Sequence, residues 1–270
     1  MEKTFYIDQL HVNAFETRDE MAENAALKAG GQIISLLQIK PYLNIIFAAA
    51  PSQDEFLKAL IEYPGIDWQR INAFHMDEYI GLSKDAPQSF GNYLNKRVFS
   101  KAPFRSVYYI RGDVTDPEGE ARRYELQLKE NPPDIVFMGI GENGHIAFND
   151  PHVADFRDPD GVKIISLDLV SRQQQVNDGC FSELSLVPEK AITLTIPMLV
   201  SAPLIFCVVP GKTKATAVLN TLTQPIVEAY PATILRTHPA AELYIDADSA
   251  VSFAGVFEAN PELKNLQPIS

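Results

Sequence analysis

In the stretch Leu43-Asn-Ile-Ile-Phe-Ala-Ala-Ala-Pro51-Ser52-Gln-Asp-Glu55, an apolar run gives way to turn chemistry and then to the start of a helix. The continuous apolar segment from Leu43 to Ala49 reads as a strand buried on both faces. Pro51 suits a first helical turn, and Ser52-x-x-Glu55 has the spacing of a capping box, so a helix is expected from there to about Ile61. Strand, turn, helix is the repeating unit of a parallel sheet, because parallel neighbours need a crossover connection.

Working outward, the unit recurs. Candidate strands fall at Ile71 to Met76, Val107 to Ile110, Asp134 to Met138, Lys163 to Leu167, Ala191 to Thr195, Leu204 to Val209 and Leu243 to Ile245. Upstream, Thr17-x-x-Glu20 opens a helical stretch through Met21, Ala25, Leu27 and Ile33 to Leu37, with Gly30-Gly31 expected to interrupt it. Further helices are expected at Gly91 to Phe99, Pro117 to Lys129 with Asp116 as N-cap, and Lys212 to Leu219. The expected fold is α/β: a single Rossmann-like domain over residues 1–270, with a mostly parallel sheet covered by helices on both faces. Functional residues then belong at the carboxyl ends of the strands.

The chain has 270 residues and a formal net charge of −12. No Lys/Arg cluster interrupts that charge, which argues against nucleic acid as a partner. A small anion remains compatible, since one Lys and a few amides can oppose the global field locally. Cys180 and Cys207 have neither metal-ligand spacing nor the density of a disulfide framework, which suits a reducing compartment. Met1-Glu2-Lys3-Thr4-Phe5 lacks the pattern of a signal peptide, and no apolar stretch approaches the roughly 20 residues of a membrane span. A cytoplasmic protein with no membrane partner is expected.

Two strand ends carry chemistry. One is Asp77-Glu78-Tyr79; the other is Gly139-Ile-Gly141-Glu-Asn143-Gly144-His145-Ile-Ala-Phe-Asn-Asp150-Pro151. The glycines permit tight turns and close ligand approach, and His145 can exchange a proton near neutral pH. Gly139, Gly141 and Gly144 also satisfy G-x-G-x-x-G, but only Asp168 is available for a ribose and Asp150-Pro151 follows too soon for a pyrophosphate-binding helix. Dinucleotide binding is therefore not expected. In isolation Asp77 could be a turn former, Ser52 an N-cap and Lys214 a solvated surface charge. Glu78 reads as structural, because successive side chains on a strand point to opposite faces. His75 and His238 are lesser candidates for substrate contact.

Phe74-His-Met-Asp77-Glu78-Tyr79-Ile-Gly81-Leu82 with Ser89-Phe90, together with the Gly139–Pro151 segment, resembles the two signatures of the glucosamine-6-phosphate deaminase/isomerase family, whose fold is shared with 6-phosphogluconolactonase. The likeness runs from about residue 15 to about 250, through Pro210-Gly-Lys-Thr-Lys214 and Thr237-His-Pro239. It implies that Asp77 removes the C2 proton of an open-chain amino-sugar phosphate, that His145 opens the ring, and that Asp150 tunes or orients His145. It implies no metal and no organic cofactor. The catalytic set is then Asp77, His145, Asp150 and Asn143, and the binding set Ala49, Ala50, Ser52, Gly141, Gly144 and Lys214.

The chain departs from that family pattern in several places. Asn143 stands where many members have Asp, and Asp150 where most have Glu. Ala48-Ala-Ala-Pro-Ser-Gln53 replaces a Ser/Thr-Gly-Gly-Thr/Ser phosphate loop, and a phosphate-gripping arginine is missing, its place falling at Gly179 or Cys180 with Arg172 a short way upstream. Lys214 matches the family's phosphate lysine, while the allosteric residues of some members are not evident in His152 to Lys163. The family contains monomers and hexamers, so self-association stays open. Competing readings are a galactosamine 6-phosphate substrate, lactone hydrolysis, which the Asp77-Glu78-Tyr79 segment argues against, and a sugar-phosphate sensor without turnover.

Overall fold

The computed structural model describes residues 3–259, with side chains through 253; the remainder of the expected 1–270 span lies outside the described residues. In chain order the elements are β1 (Lys3–Ile7), β2 (Leu10–Ala14), α1 (Arg18–Ile39), β3 (Leu43–Phe47), α2 (Asp54–Glu62), β4 (Ile71–His75), β5 (Asp77–Tyr79) and α3 (Phe90–Leu94). They continue with β6 (Ser106–Tyr108), α4 (Pro117–Glu130), β7 (Ile135–Met138), β8 (Val162–Ser166), α5 (Leu169–Asn177), β9 (Lys190–Leu194) and α6 (Ile196–Val200). Last come β10 (Leu204–Val209), α7 (Ala215–Thr223), β11 (Ala241–Ile245) and α8 (Ala247–Ala259).

Among the described residues, eight strands form one sheet in the order β1-β2-β11-β10-β7-β3-β4-β6. Every pairing in it is parallel except the β1–β2 hairpin. Alternating side chains of β10 show how both faces are filled. Ile205, Cys207 and Val209 join a core with Tyr124 and Leu128 of α4 and Val218 and Leu222 of α7, while Phe206 and Val208 join Ala25, Ala29 and Ile33 of α1 and Phe56 of α2. The expected α/β class with helices on both faces holds.

Five expectations need correction, and one hairpin is additional. The runs near Lys163 and Ala191 do not enter the parallel sheet; as β8 and β9 they pair antiparallel with β5 in a second, three-stranded sheet. An apolar run specifies burial but not a partner, and β5 departs from the main sheet immediately after β4. The β1–β2 hairpin was not anticipated; its turn passes through Asp8 at φ +52. Gly30-Gly31 does not interrupt α1, because Gly30 is where Tyr63 packs, and a Cβ there would lie 2.4 Å from the Tyr63 ring. Ser52 does not cap α2: Pro51–Gln53 forms a 3-10 turn without a side-chain cap, and Glu55 is engaged by Arg18 instead. The helix expected at Gly91 to Phe99 divides into α3 and a π turn over Asn95–Phe99, and Lys212–Lys214 is a 3-10 turn before α7.

The central order β10-β7-β3-β4 matters most for function. Phe47 is level with both His75 and Phe137, and Cys207 with Met138, so the carboxyl ends of these strands lie side by side. Four loops therefore converge: Ala48–Gln53, the entry to β5, residues 139–151, and Pro210–Lys214.

Candidate active site

A narrow cleft of about 60 Å³ lies at these strand ends, lined by Ala48, Ala49, Ala50, Ser52, Asp77, Gly141, His145 and Lys214 among others. Asp77 opens β5 just where the chain turns from one sheet into the other. It is 6% exposed, and its carboxylate makes no hydrogen bond among the described residues. Burial, and then the charge of Glu78, push its pKa well above the usual carboxylate range. Glu78 points away from the cleft and accepts from the amides of Tyr79 (2.9 Å), Phe90 (3.0 Å) and Gly91 (2.9 Å), tying β5 to the start of α3. Burial outweighs those three amides and raises Glu78 to about 7.

The 139–151 loop holds His145 opposite. Its Nδ1 lies 2.8 Å from Asn143 Oδ1 and 3.0 Å from Asp150 Oδ1, two acceptors that favour a proton on that nitrogen. Nε2 then carries the free lone pair. The imidazole lies on Gly141, where a Cβ would come within 2.1 Å of the ring, so glycine is required there by close approach. Asp150 is fully buried. Burial alone would raise it, but hydrogen bonding with His145, the histidine's charge, and the Asn143 and Ser171 side chains prevail and bring it to about 2. Asn143 Nδ2 donates to Asp150 at 3.0 Å while its Oδ1 accepts from His145, so the amide bridges the pair.

Lys214 is 5% exposed and forms no ion pair among the described residues. Burial lowers its pKa, opposed by the charges of Asp178 and Glu142. Its turn is pinned where the Gly211 amide donates to both oxygens of Asp246, each at 3.0 Å. The altered Ala48–Gln53 loop is firmly held: Arg18 donates to the Pro51 carbonyl at 2.8 Å, and Gln53 Nε2 donates to the Val208 carbonyl at 2.9 Å. A buried ammonium without a carboxylate partner, beside a 3-10 turn with spare amides, is a site for an anion.

Of the expected residues, Asp77, His145, Ala49, Ala50, Ser52, Gly141 and Lys214 line the cleft, and Asn143 and Asp150 stand behind His145. Gly144 is not on the cleft wall; it takes φ +87, and its carbonyl accepts from the Ala232 amide. Arg172 donates to the Leu184 and Val187 carbonyls and is thereby committed to the structure. His75 Nε2 accepts from the Ile110 amide, and His238 Nε2 lies 2.9 Å from the Ala202 carbonyl, so both are buried struts. Asp168 caps α5 by accepting from the Ser171 amide.

Sequence reasoning missed α5 as part of the site. Its Ser171 hydroxyl donates to Asp150 and lies 3.1 Å from His145 Nδ1, and its Gln174 and Gln175 line the cleft. The Asp168-x-x-Ser171 spacing marked a helix start and was the available signal.

Residues 16–244 match the family described as glucosamine-6-phosphate isomerases/6-phosphogluconolactonase. A glucosamine-6-phosphate deaminase of Exiguobacterium sp. is 34% identical over 200 residues, covering 74% of this chain and 77% of that protein. One from Listeria innocua is 33% identical over 208 residues, covering 77% and 87%. A monomeric glucosamine-6-phosphate deaminase of known structure superposes with a TM-score of 0.81 at 30% identity, over 89% of this chain and 99% of that one. The 6-phosphogluconolactonase of Thermotoga maritima superposes at 0.71 with 19% identity, over 87% and 98%, a likeness of fold. With the two signature loops at one cleft and a match over most of its length, the chain belongs to the glucosamine-6-phosphate isomerase/6-phosphogluconolactonase family.

Proposed function

We propose that this protein converts an amino-sugar phosphate, glucosamine 6-phosphate first among them, and water to the ketose 6-phosphate and ammonia. One observation carries the reading: a buried carboxylate held ready for a proton, a histidine whose Nε2 faces no partner and a buried ammonium without an ion pair among the described residues line the same cleft. The resemblance of the two signature loops supports the same reading, and the names of the relatives agree with it.

Lys214, the Ser52 hydroxyl and the free amides of Ala49 and Ala50 hold the phosphate. His145 Nε2 takes the proton of the C1 hydroxyl and delivers it to the ring oxygen as the C1–O5 bond breaks, leaving an aldehyde. Asp77 then removes the proton from C2, and the electron pair forms a C1–C2 double bond as the ammonium on C2 gives one proton to the carbonyl oxygen, leaving a neutral enolamine. Returning the proton held by Asp77 to C1 leaves an iminium at C2. Water adds there and ammonia departs, so the balance is one water in and one ammonia out. A raised pKa suits Asp77 to accept and return the same proton, and the substrate's ammonium on C2 supplies the charge that favours its ionised form. Asn143 and Asp150 keep the His145 ring oriented, and Asp150 offsets the imidazolium when it forms.

The two cysteines are unpaired, in keeping with a cytoplasmic setting, and we read the chain as one domain. The reading is tested by measuring ammonia and ketose phosphate from purified protein given glucosamine 6-phosphate, with galactosamine 6-phosphate and the unphosphorylated sugars in parallel. Release restricted to a phosphorylated amino sugar is expected; no ammonia from any of them would overturn the reading in favour of a sensor.

A further inference from the structure

The cleft at Asp77 and His145 has about 60 Å³, well below the roughly 300–1,000 Å³ of small-molecule sites. A second cavity of about 270 Å³ adjoins it and shares Ala49, Ala50, Phe90 and Gln175 as common wall. Joined, the two reach the lower end of that range. A larger cavity of about 510 Å³ lies behind β5, but its buried charge, Glu78, is already spent on three backbone amides. The adjoining cavity is different: its wall carries Arg97 and Tyr93.

Arg97 is prepared to bind an anion. Its Nε donates to Asp54 at 2.6 Å, the same Asp54 oxygen accepts from the Tyr93 hydroxyl at 2.6 Å, and the guanidinium lies 3.5 Å over the Tyr93 ring. This fixes the plane of the fork while its two Nη groups make no hydrogen bond among the described residues. Such a guanidinium suits bidentate recognition of phosphate oxygens. It is placed there by the π turn over Asn95–Phe99, a deviation from α geometry that recurs at functional sites.

Charge gives the second argument. A phosphate monoester carries about −1.5 to −2 at pH 7. Among the described residues Lys214 is the only Lys or Arg lining the cleft, and Asp178 and Glu142 lie within electrostatic reach of it. One ammonium so placed is a poor match for a dianion. Arg97, the only Lys or Arg lining the adjoining cavity among the described residues, is paired through Nε with Asp54 and shares that cavity with Asp178, but its two Nη groups add cationic donors from the other side of the Ala49–Ala50 wall.

We propose that Arg97 is a specificity-determining residue that grips the phosphate of the substrate together with Lys214, across the joined cavities at Ala49–Ala50. This rests on the reading of the site as one for a sugar phosphate. Arg97→Met and Arg97→Lys test it, with unfolding midpoints to establish that both variants fold. Losing hydrogen bonds between charged groups costs roughly 1.5–3 kcal/mol, so Arg97→Met should raise the KM for glucosamine 6-phosphate about 10- to 100-fold while kcat changes far less. Competition by inorganic phosphate should weaken by the same factor, and Arg97→Lys should fall between. Unchanged KM and unchanged phosphate competition would overturn the assignment, as would an equal loss on unphosphorylated glucosamine. If the wild-type protein releases no ammonia at all, inorganic phosphate titrated calorimetrically still decides. Binding weakened by Arg97→Met upholds Arg97 while the deaminase reading falls, and binding unaffected by it removes Arg97 as well.

Discussion

Asp77 and Asp150 follow two strands of one sheet, β4 and β7, that flank β3; one lines the cleft, the other stands behind His145, and both are buried, yet they are driven in opposite directions. After the end of β4, Asp77 meets burial and the like charge of Glu78, its carboxylate makes no hydrogen bond among the described residues, and its pKa rises well above the ordinary range. At the end of β7, Asp150 is surrounded by His145, Asn143 and Ser171, and despite its burial it is held at about 2. Burial by itself does not set a carboxylate's chemistry; the donors around it do. The loop with partners can hold a charge, and the loop without them can hold a proton, which is the division of labour an acid–base reaction needs.

The largest expected effect comes from removing the destabilised member. Asp77→Asn should lower turnover by roughly 10²- to 10⁴-fold, the usual worth of a positioned general base. The same variant should unfold at a higher temperature at pH 8. A carboxylate whose pKa is raised on folding contributes stability that is full below its unfolded pKa and is lost as pH rises toward the folded value. Glu78, raised to about 7, adds to that loss in the same direction between about pH 4.5 and 7. A lower unfolding temperature for Asp77→Asn at pH 8 would mean that burial does not govern Asp77, and the contrast with Asp150 would collapse.

Asp150→Asn sharpens the comparison from the other side. A pKa depressed to about 2 corresponds to stability on the order of 2 kcal/mol, present above the unfolded value near 4 and lost as pH falls from about 4 to 2. The wild-type protein should therefore lose stability more steeply than the variant across that interval in urea titrations. Parallel curves would show that the donors around Asp150 do not stabilise its charge. The smallest effect is at Ala147, a cleft-lining residue at φ +49, a left-handed conformation that costs a non-glycine residue roughly 1–2 kcal/mol. Ala147→Gly should raise stability by less than about 1 kcal/mol, since glycine's greater unfolded-state freedom offsets part of the relief. A fall in the urea midpoint would locate the strain elsewhere in the loop.

Much of this was legible in the chain. Continuous apolar runs such as Leu43–Phe47 and Leu204–Val209 mark strands buried on both faces, and the polar residues after them mark the functional edge. The role expected of Glu78 followed from side-chain alternation, and the structure shows it bound to three amides. Three features escaped. Val162–Ser166 and Lys190–Leu194 read as strands, but nothing in their composition says that they pair antiparallel with Asp77–Tyr79 rather than entering the main sheet. The resemblance places Lys214 among the binding residues, but its burial, with no ion pair among the described residues, is not readable from a Lys in a helical stretch. Arg97 gave no signal at all, because its importance lies in a cavity whose other walls come from residues up to Cys180.

The sequence by itself determined the α/β class, the family, and the two strand-end loops that carry Asp77 and His145, because local periodicity and contiguous motifs are properties of neighbouring residues. Tertiary structure alone decided how each of those groups is charged. That depends on which side chains from distant segments stand within about 3 Å: Ser171 of α5 against Asp150 and His145, and, among the described residues, no hydrogen-bond donor against the Asp77 carboxylate. Hydrogen bonds and desolvation act over such distances in space, and spacing along the chain does not encode them.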